Sequence, residues 1–163
     1  MGKTAFLFSG QGAQKVGMGQ DIAQAYPAAM QVFDSACGAL GFDIKHMIWE
    51  GDEETLMVTE NTQPCIVTVE AAILAVLKEN GVQADAAAGL SLGEYGAHIA
   101  AGSLAFDDAV KLVRKRGKYM QKAVPLQIHR RHGSGAGPGK RGCGSGLPRG
   151  AGERRGLCGA HQL

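Results

Sequence analysis

Ser91 stands at the centre of Gly89-Leu90-Ser91-Leu92-Gly93, a G-x-S-x-G spacing between an apolar run and an amphipathic stretch. A serine hydroxyl becomes a useful nucleophile when it is held exposed on a sharp strand-to-helix turn, and glycines two residues to either side relieve the crowding of such a turn. The helix that follows would aim its free N–H groups and positive dipole end at the serine, where an oxyanion forms during acyl transfer. Leu92 would supply one such N–H. Five residues with three fixed letters also recur by chance, so the chemistry depends on what the rest of the chain brings to that serine.

Three other stretches bear on it. Ser9-Gly10-Gln11-Gly12-Ala13-Gln14 follows the strand-like run Thr4 to Phe8. The dinucleotide fingerprint would need a third glycine where Lys15 stands, and a phosphate-binding P-loop would need Gly-Lys-Ser/Thr, so nucleotide binding is not indicated. The loop instead suits a close backbone approach to a reacting centre, with Gln11 donating a hydrogen bond there, or else it is an ordinary tight turn. Gln63, in Asn61-Thr62-Gln63-Pro64, belongs either to a helix start or to the polar lining of the site. Arg116 carries a planar guanidinium able to offer two parallel donors to a carboxylate, although among Arg114, Lys115 and Lys118 it also reads as part of a solvated charge run.

The elements that must position these residues alternate between strand and helix. Thr4 to Phe8 reads as a buried strand, and Gln20 to Leu40 has helical spacing divided by Pro27 and stopped by Gly38 and Gly41. Asp43 to Met57 is a mixed loop and short helix with an acidic, solvated cluster at Glu50, Asp52, Glu53 and Glu54. A Pro-initiated helix runs through Lys78 with a core stripe of Ile66, Val69, Ile73, Leu74 and Leu77. Val82 to Ala88 is a weak, alanine-rich strand, followed by helices from Leu92 to about Ala101 and from Asp107 to about Lys122. This order describes part of a layered α/β domain.

At 163 residues and 45% hydrophobic, the chain suits one domain with a substantial core. Its overall charge of +2 conceals two unlike segments, net −4 over residues 1–125 and net +6 over 126–163. No apolar run approaches the roughly 20 residues of a membrane span, and the first residues lead into a strand without a signal peptide, so the cytoplasm is the expected compartment. Cys37, Cys65, Cys143 and Cys158 lack disulfide-framework or metal-ligand spacing, and free thiols are expected.

Taken together, Phe8 to Gln14, Asn61 to Pro64, Gly89 to Tyr95 and Arg116-Gly117-Lys118-Tyr119-Met120-Gln121 resemble the malonyl-CoA:acyl carrier protein transacylases of fatty-acid synthesis, with a match continuous over about residues 3–125. The resemblance implies a partial α/β-hydrolase-like acyltransferase core. It implies Ser91 as the acylated nucleophile, Gln11 and the Leu92 N–H as the oxyanion hole, and Arg116 as the partner of the malonyl carboxylate, with Gln63 beside the substrate. It further implies malonyl-CoA and acyl carrier protein as partners, with no metal or organic cofactor, no nucleic acid and no membrane. Leu90 stands where the family often has histidine, a variation that leaves the nucleophile in place. A serine hydrolase using the same elbow is the competing enzyme class.

A serine nucleophile requires a general base within about 3 Å. His98 lies seven residues after Ser91 on one predicted helix, hence about 10 Å along its axis. His46 sits in the acidic segment, while His129, His132 and His161 belong to the basic tail. In the resembled family the base is a histidine arriving much later, beyond a small inserted subdomain. Residues 126–163 contain 11 glycines and no aromatic residue, a composition expected to be disordered. A nucleic-acid-binding arm is one reading of their arginines, but glycine dilutes the charge and no ring is present to stack on bases. Codons for His132 to Pro138 (CAY GGN AGY GGN GCN GGN CCN), read one base later, permit Met-Ala-Ala-Val-Leu-Gly-Leu, the kind of strand the family has after this point. That implies a reading-frame shift between about Val124 and His132.

Overall fold

The computed structural model describes residues 2–123. The elements in chain order are β1 (Ala5–Phe8), α1 (Gln20–Ala25), α2 (Pro27–Leu40), α3 (Ile44–Trp49), α4 (Glu53–Met57), α5 (Thr59–Glu79), β2 (Ala86–Gly89), α6 (Gly93–Ala100) and α7 (Phe106–Ala123). The α/β reading of the sequence holds. The strands pair in parallel with Ala5 opposite Ala86 and Phe8 opposite Gly89, so both point their ends at the same edge. Thr4 and Asp85 start that ladder, the Thr4 N–H donating to Asp85 Oδ2 and the Asp85 N–H donating to the Thr4 carbonyl, each at 2.8 Å.

Helix α5 is the central support, packing against α2, α6 and α7, while α6 lies against both strands. One buried cluster gathers Phe33, Ala36, Ile44, Ile48, Leu56 and Cys65 from α2 to α5. A second joins Ile66 and Val67 of α5 to Leu92 and Val113, tying the central helix to the Ser91 turn and to α7. Burial pushes the Cys65 thiol up to about 12, which leaves it an inert core group.

Several expectations change in ways that packing explains. The helix expected to open at Pro64 begins at Thr59 and carries Pro64 inside it. Its early start is held from outside: the side chain of Gln121 on α7 accepts the Thr59 N–H at 3.0 Å, satisfying a donor the helix cannot pair itself. The core stripe of α5 also shifts, because Ile73 is exposed whereas Thr62, Gln63, Thr68, Ala71 and Ala72 are buried. Gly38 does not stop α2, which continues to Leu40 and ends at Gly41 in the left-handed conformation. Asp43 and Asp52 are helix caps, accepting the His46 and Thr55 N–H groups and held below the usual carboxylate range by those donors. The region expected as one short helix in a loop is therefore two capped helices.

Strand β1 is not buried as expected. Phe6 and Phe8 face inward, but Leu7 is 81% exposed, and Ala5, Ala86 and Ala88 are exposed on the same face. Helices cover only one side of these two strands among the described residues. No described helix is long and apolar enough to cross a membrane. The disorder and frame shift expected for residues 126–163 lie outside the described residues.

Two glycines on different helices should respond oppositely to the same substitution. Gly38 is exposed in α2 with open space around an added Cβ, whereas a Cβ on Gly117 of α7 would stand 2.6 Å from the Thr59 carbonyl oxygen of α5. Gly38→Ala is expected to stabilise the fold by about 0.5–1 kcal/mol, and Gly117→Ala to destabilise it by about 1–3 kcal/mol. Urea-denaturation midpoints check both signs.

Candidate active site

The Gly89–Gly93 segment forms the expected sharp turn. Ser91 has φ of +57°, the only positive value at a non-glycine position among the described residues. It stands between the end of β2 and the start of α6, with the Gly93 N–H bonded to the Leu90 carbonyl at 3.0 Å. The flanking glycines are required by contact. A Cβ on Gly89 would strike the Gly93 carbonyl, and one on Gly93 would strike the Phe8 carbonyl and come within 2.8 Å of that of Ser9. Gly10 approaches the same turn, its absent Cβ only 3.4 Å from the Leu90 carbonyl oxygen. The two glycine-bearing motifs are thus pressed together, backbone against backbone.

Arg116 reaches this turn from α7. Its Nη2 donates to Ser91 Oγ at 2.8 Å and its Nη1 to Gln63 Oε1 at 2.9 Å, while its guanidinium carbon lies 5.8 Å from the Tyr95 ring centre. Gln63 is fully buried and its Nε2 faces both Met120 Sδ at 3.3 Å and Gln11 Oε1 at 3.4 Å. Gln11 Nε2 in turn donates to Thr59 Oγ1 at 3.3 Å. The structure therefore gathers Ser91, Arg116, Gln63 and Gln11 into one connected polar chain, with Gln63 in the opening turns of α5 and Arg116 turned toward Ser91. Leu92 occupies the N-cap position of α6, with its side chain buried in the second core cluster.

The histidines within the described residues lie elsewhere. His46 Nδ1 is 3.3 Å from Glu50 Oε2, and His98 Nδ1 is 2.8 Å from Ser103 Oγ. The other three lie outside the described residues. Among the described residues no group of three or more His, Cys, Asp or Glu side chains could hold a metal ion.

Sequence reasoning missed three supporting residues. Glu94 accepts the Ser91 backbone N–H at 3.2 Å, and Ser91-Leu92-Gly93-Glu94 has the S-x-x-E spacing of a capping box that could have revealed it. Thr59 anchors Gln11, and Gln121 anchors Thr59. These last two are separated by 62 residues in sequence, and no local pattern announces such a pairing.

With this geometry in place, comparison with known proteins is informative. Residues 5–129 match the acyl transferase domain family. The chain belongs to that family. It is 50% identical over 125 residues to the malonyl CoA-acyl carrier protein transacylase of Bacillus subtilis strain 168, covering 77% of this chain and 39% of that one. The crystal structure of the malonyl CoA-acyl carrier protein transacylase from Clostridium perfringens superposes with a TM-score of 0.74 at 47% identity, covering 76% of this chain and 39% of that chain. A malonyl-transacylase solved in complex with a type II PKS acyl-carrier protein matches with a TM-score of 0.73 at 43% identity, covering 76% and 40%. The chain spans about two fifths of the length of the curated relatives it matches.

Gln63 is the residue on which this polar chain depends. Gln63→Leu keeps its approximate volume but leaves the Arg116 guanidinium and the Gln11 carbonyl without their buried partner. A loss of about 1–3 kcal/mol is expected, read from chemical denaturation of wild type and variant.

Proposed function

We propose that this chain carries the nucleophile-bearing part of a malonyl-CoA:acyl carrier protein transacylase. The observation that carries the reading is the 2.8 Å bond from the Arg116 guanidinium to Ser91 Oγ at a strained strand-to-helix turn. Ser91 Oγ attacks the thioester carbonyl of malonyl-CoA, forming an ester and releasing the coenzyme A thiol, which takes up the serine proton. The phosphopantetheine thiol of acyl carrier protein then attacks that ester, and Ser91 recovers a proton as the malonyl group leaves. Gln11 and the Leu92 N–H stabilise the oxyanion in both steps. Arg116 sits where the distal carboxylate of a malonyl group on Ser91 could meet it, and a guanidinium there favours malonyl over acetyl groups.

The reaction as proposed uses no cofactor, takes place in the cytoplasm and engages neither nucleic acid nor membrane. The base that accepts the Ser91 proton comes from outside the described residues. In this reading residues 1–125 form the N-terminal part of the large acyltransferase subdomain, and the sequence of residues 126–163 is out of frame. The family match reaches residue 129, close to the inferred shift between Val124 and His132.

Sequencing the coding DNA from the Met120 codon onward tests the shift: one inserted or deleted base should restore a family-like strand and a downstream histidine. If neither shifted frame does so, the tail reading fails. If the histidines of residues 126–163 do not serve as the general base, turnover by the 163-residue chain is expected to fall short of normal by as much as about 10⁶-fold, and restoring the frame should recover transfer that Ser91→Ala abolishes. In the restored enzyme, Arg116→Ala should lower malonyl transfer by roughly 10- to 100-fold, the worth of a charge-assisted hydrogen bond, with acetyl transfer little changed. Equal turnover of uncharged esters by wild type, released to water, would favour a serine hydrolase instead.

A further inference from the structure

Glu70 lies on α5, one residue of the same helix as Gln63, and takes no part in the polar chain around Ser91. Its Oε1 accepts a hydrogen bond from Ser9 Oγ at 3.0 Å. Its Oε2 is buried and has no hydrogen-bond partner among the described residues. That oxygen packs beneath α6, since a Cβ on Gly96 would stand 2.8 Å from it and would strike the Phe8 ring. Ser9 joins β1 to Gly10 and Gln11, and its carbonyl lies in the space that Gly93 leaves open. One carboxyl thus touches the root of the Gln11 loop while lodged under the helix that follows Ser91.

We propose that Glu70 is a positioning residue for the oxyanion loop: through Ser9 its protonated carboxyl holds Gly10 and Gln11 opposite Ser91, and its ionisation releases them. The proposal rests on the reading of Gln11 as an oxyanion donor. A neutral carboxyl tolerates burial in which one oxygen accepts from Ser9. An ionised one places charge on an oxygen with no donor, and the gain from rehydrating it pulls the group away from Gly96 and out of register with Ser9. Burial pushes Glu70 up to about 7, opposed by the Ser9 hydroxyl and backbone N–H. Glu94, Tyr95 and His98 on α6, Lys3 ahead of β1, and Glu60 and Lys78 on α5 are not among the causes of this shift. With the folded value raised above the ordinary 4.5, the stabilisation is fully present below 4.5 and is lost as pH rises through about 7.

Hydrogen exchange on the full chain, normalised to the intrinsic rate at each pH, tests the proposal without requiring turnover. Protection of the Gly10–Gln14 amides in wild type should fall on the order of tenfold between about pH 5.5 and 8, the equivalent of one pKa unit. Glu70→Gln, which keeps the shape without the ionisation, should remain protected across the range. Ser9→Ala should be poorly protected throughout, with the amides of α5 and α7 unchanged as the measure of an intact fold. A Glu70→Gln variant that loses protection with pH as wild type does, a wild type with no pH dependence, or a Ser9→Ala loop as protected as wild type would each overturn the proposal. The two readings fail separately: exchange reports the loop whether or not Ser91 accepts malonyl, and failure of malonyl transfer by the frame-restored enzyme, alongside the expected exchange pattern, indicts the Ser91 chemistry alone.

Discussion

The turn at Ser91 depends on two stretches of backbone meeting where no side chain fits. Gly89 and Gly93 face each other within the turn, and Gly93 lies against the carbonyls of Phe8 and Ser9. A left-handed conformation at a serine costs about 1–3 kcal/mol and persists only when its surroundings over-determine it. Here they do. The parallel register ends with Phe8 opposite Gly89, the Gly93 N–H returns to Leu90, and Glu94 takes the serine's own N–H. The same crowding brings the Gln11 loop beside the turn, because both leave the sheet at one edge.

A second constraint acts from α7. Arg116 can reach Ser91 only if α7 lies close against α5, and Gly117, next in sequence, permits that approach to the Thr59 carbonyl. Gln121, one turn further, fixes the same crossing by capping Thr59, which in turn holds Gln11. A helix–helix contact and a polar site are therefore built from the same few residues. Burying Gln63 and part of Arg116 costs desolvation that a leucine would avoid. The compensation is geometric, since each polar atom of the Gln63 amide is directed at a named partner.

Much of this was legible because it is local. The glycine spacing around Ser91 signals a turn by steric necessity, and Pro27 divides α1 from α2 because proline removes an N–H and fixes φ. Other features depend on contacts distant in sequence. A proline inside α5 could not be foreseen from propensity, because the first N–H of that helix is satisfied by Gln121 from another element. Ile73 fits a helical stripe yet lies exposed while its neighbours Ala71 and Ala72 are buried, so the packed face of α5 is set by the elements around it and not by the apolar spacing. The basic run on α7 read as solvated, which holds for Lys115 and Lys118, whereas Arg114 is half-buried beside Glu60 and Phe42. Arg116 differs from Lys115 and Lys118 only in which side of the helix it occupies, and that is decided by what the helix packs against.

The groups gathered at Ser91 Oγ are suited to negative charge, and this defines what the described part of the site can do. Arg116 donates to the hydroxyl, Gln63 holds Arg116, and Gln11 extends the chain beside the turn. A donor directed at a serine oxygen lowers the cost of charge on it but cannot remove its proton. Glu94, three residues on, has its Oε1 engaged by the Ser91 backbone N–H. His46 and His98 are occupied with Glu50 and Ser103. Among the described residues the side chain bonded to Ser91 Oγ is a donor, and no described base is hydrogen-bonded to that hydroxyl, so the geometry favours charge on the oxygen without providing for loss of its proton.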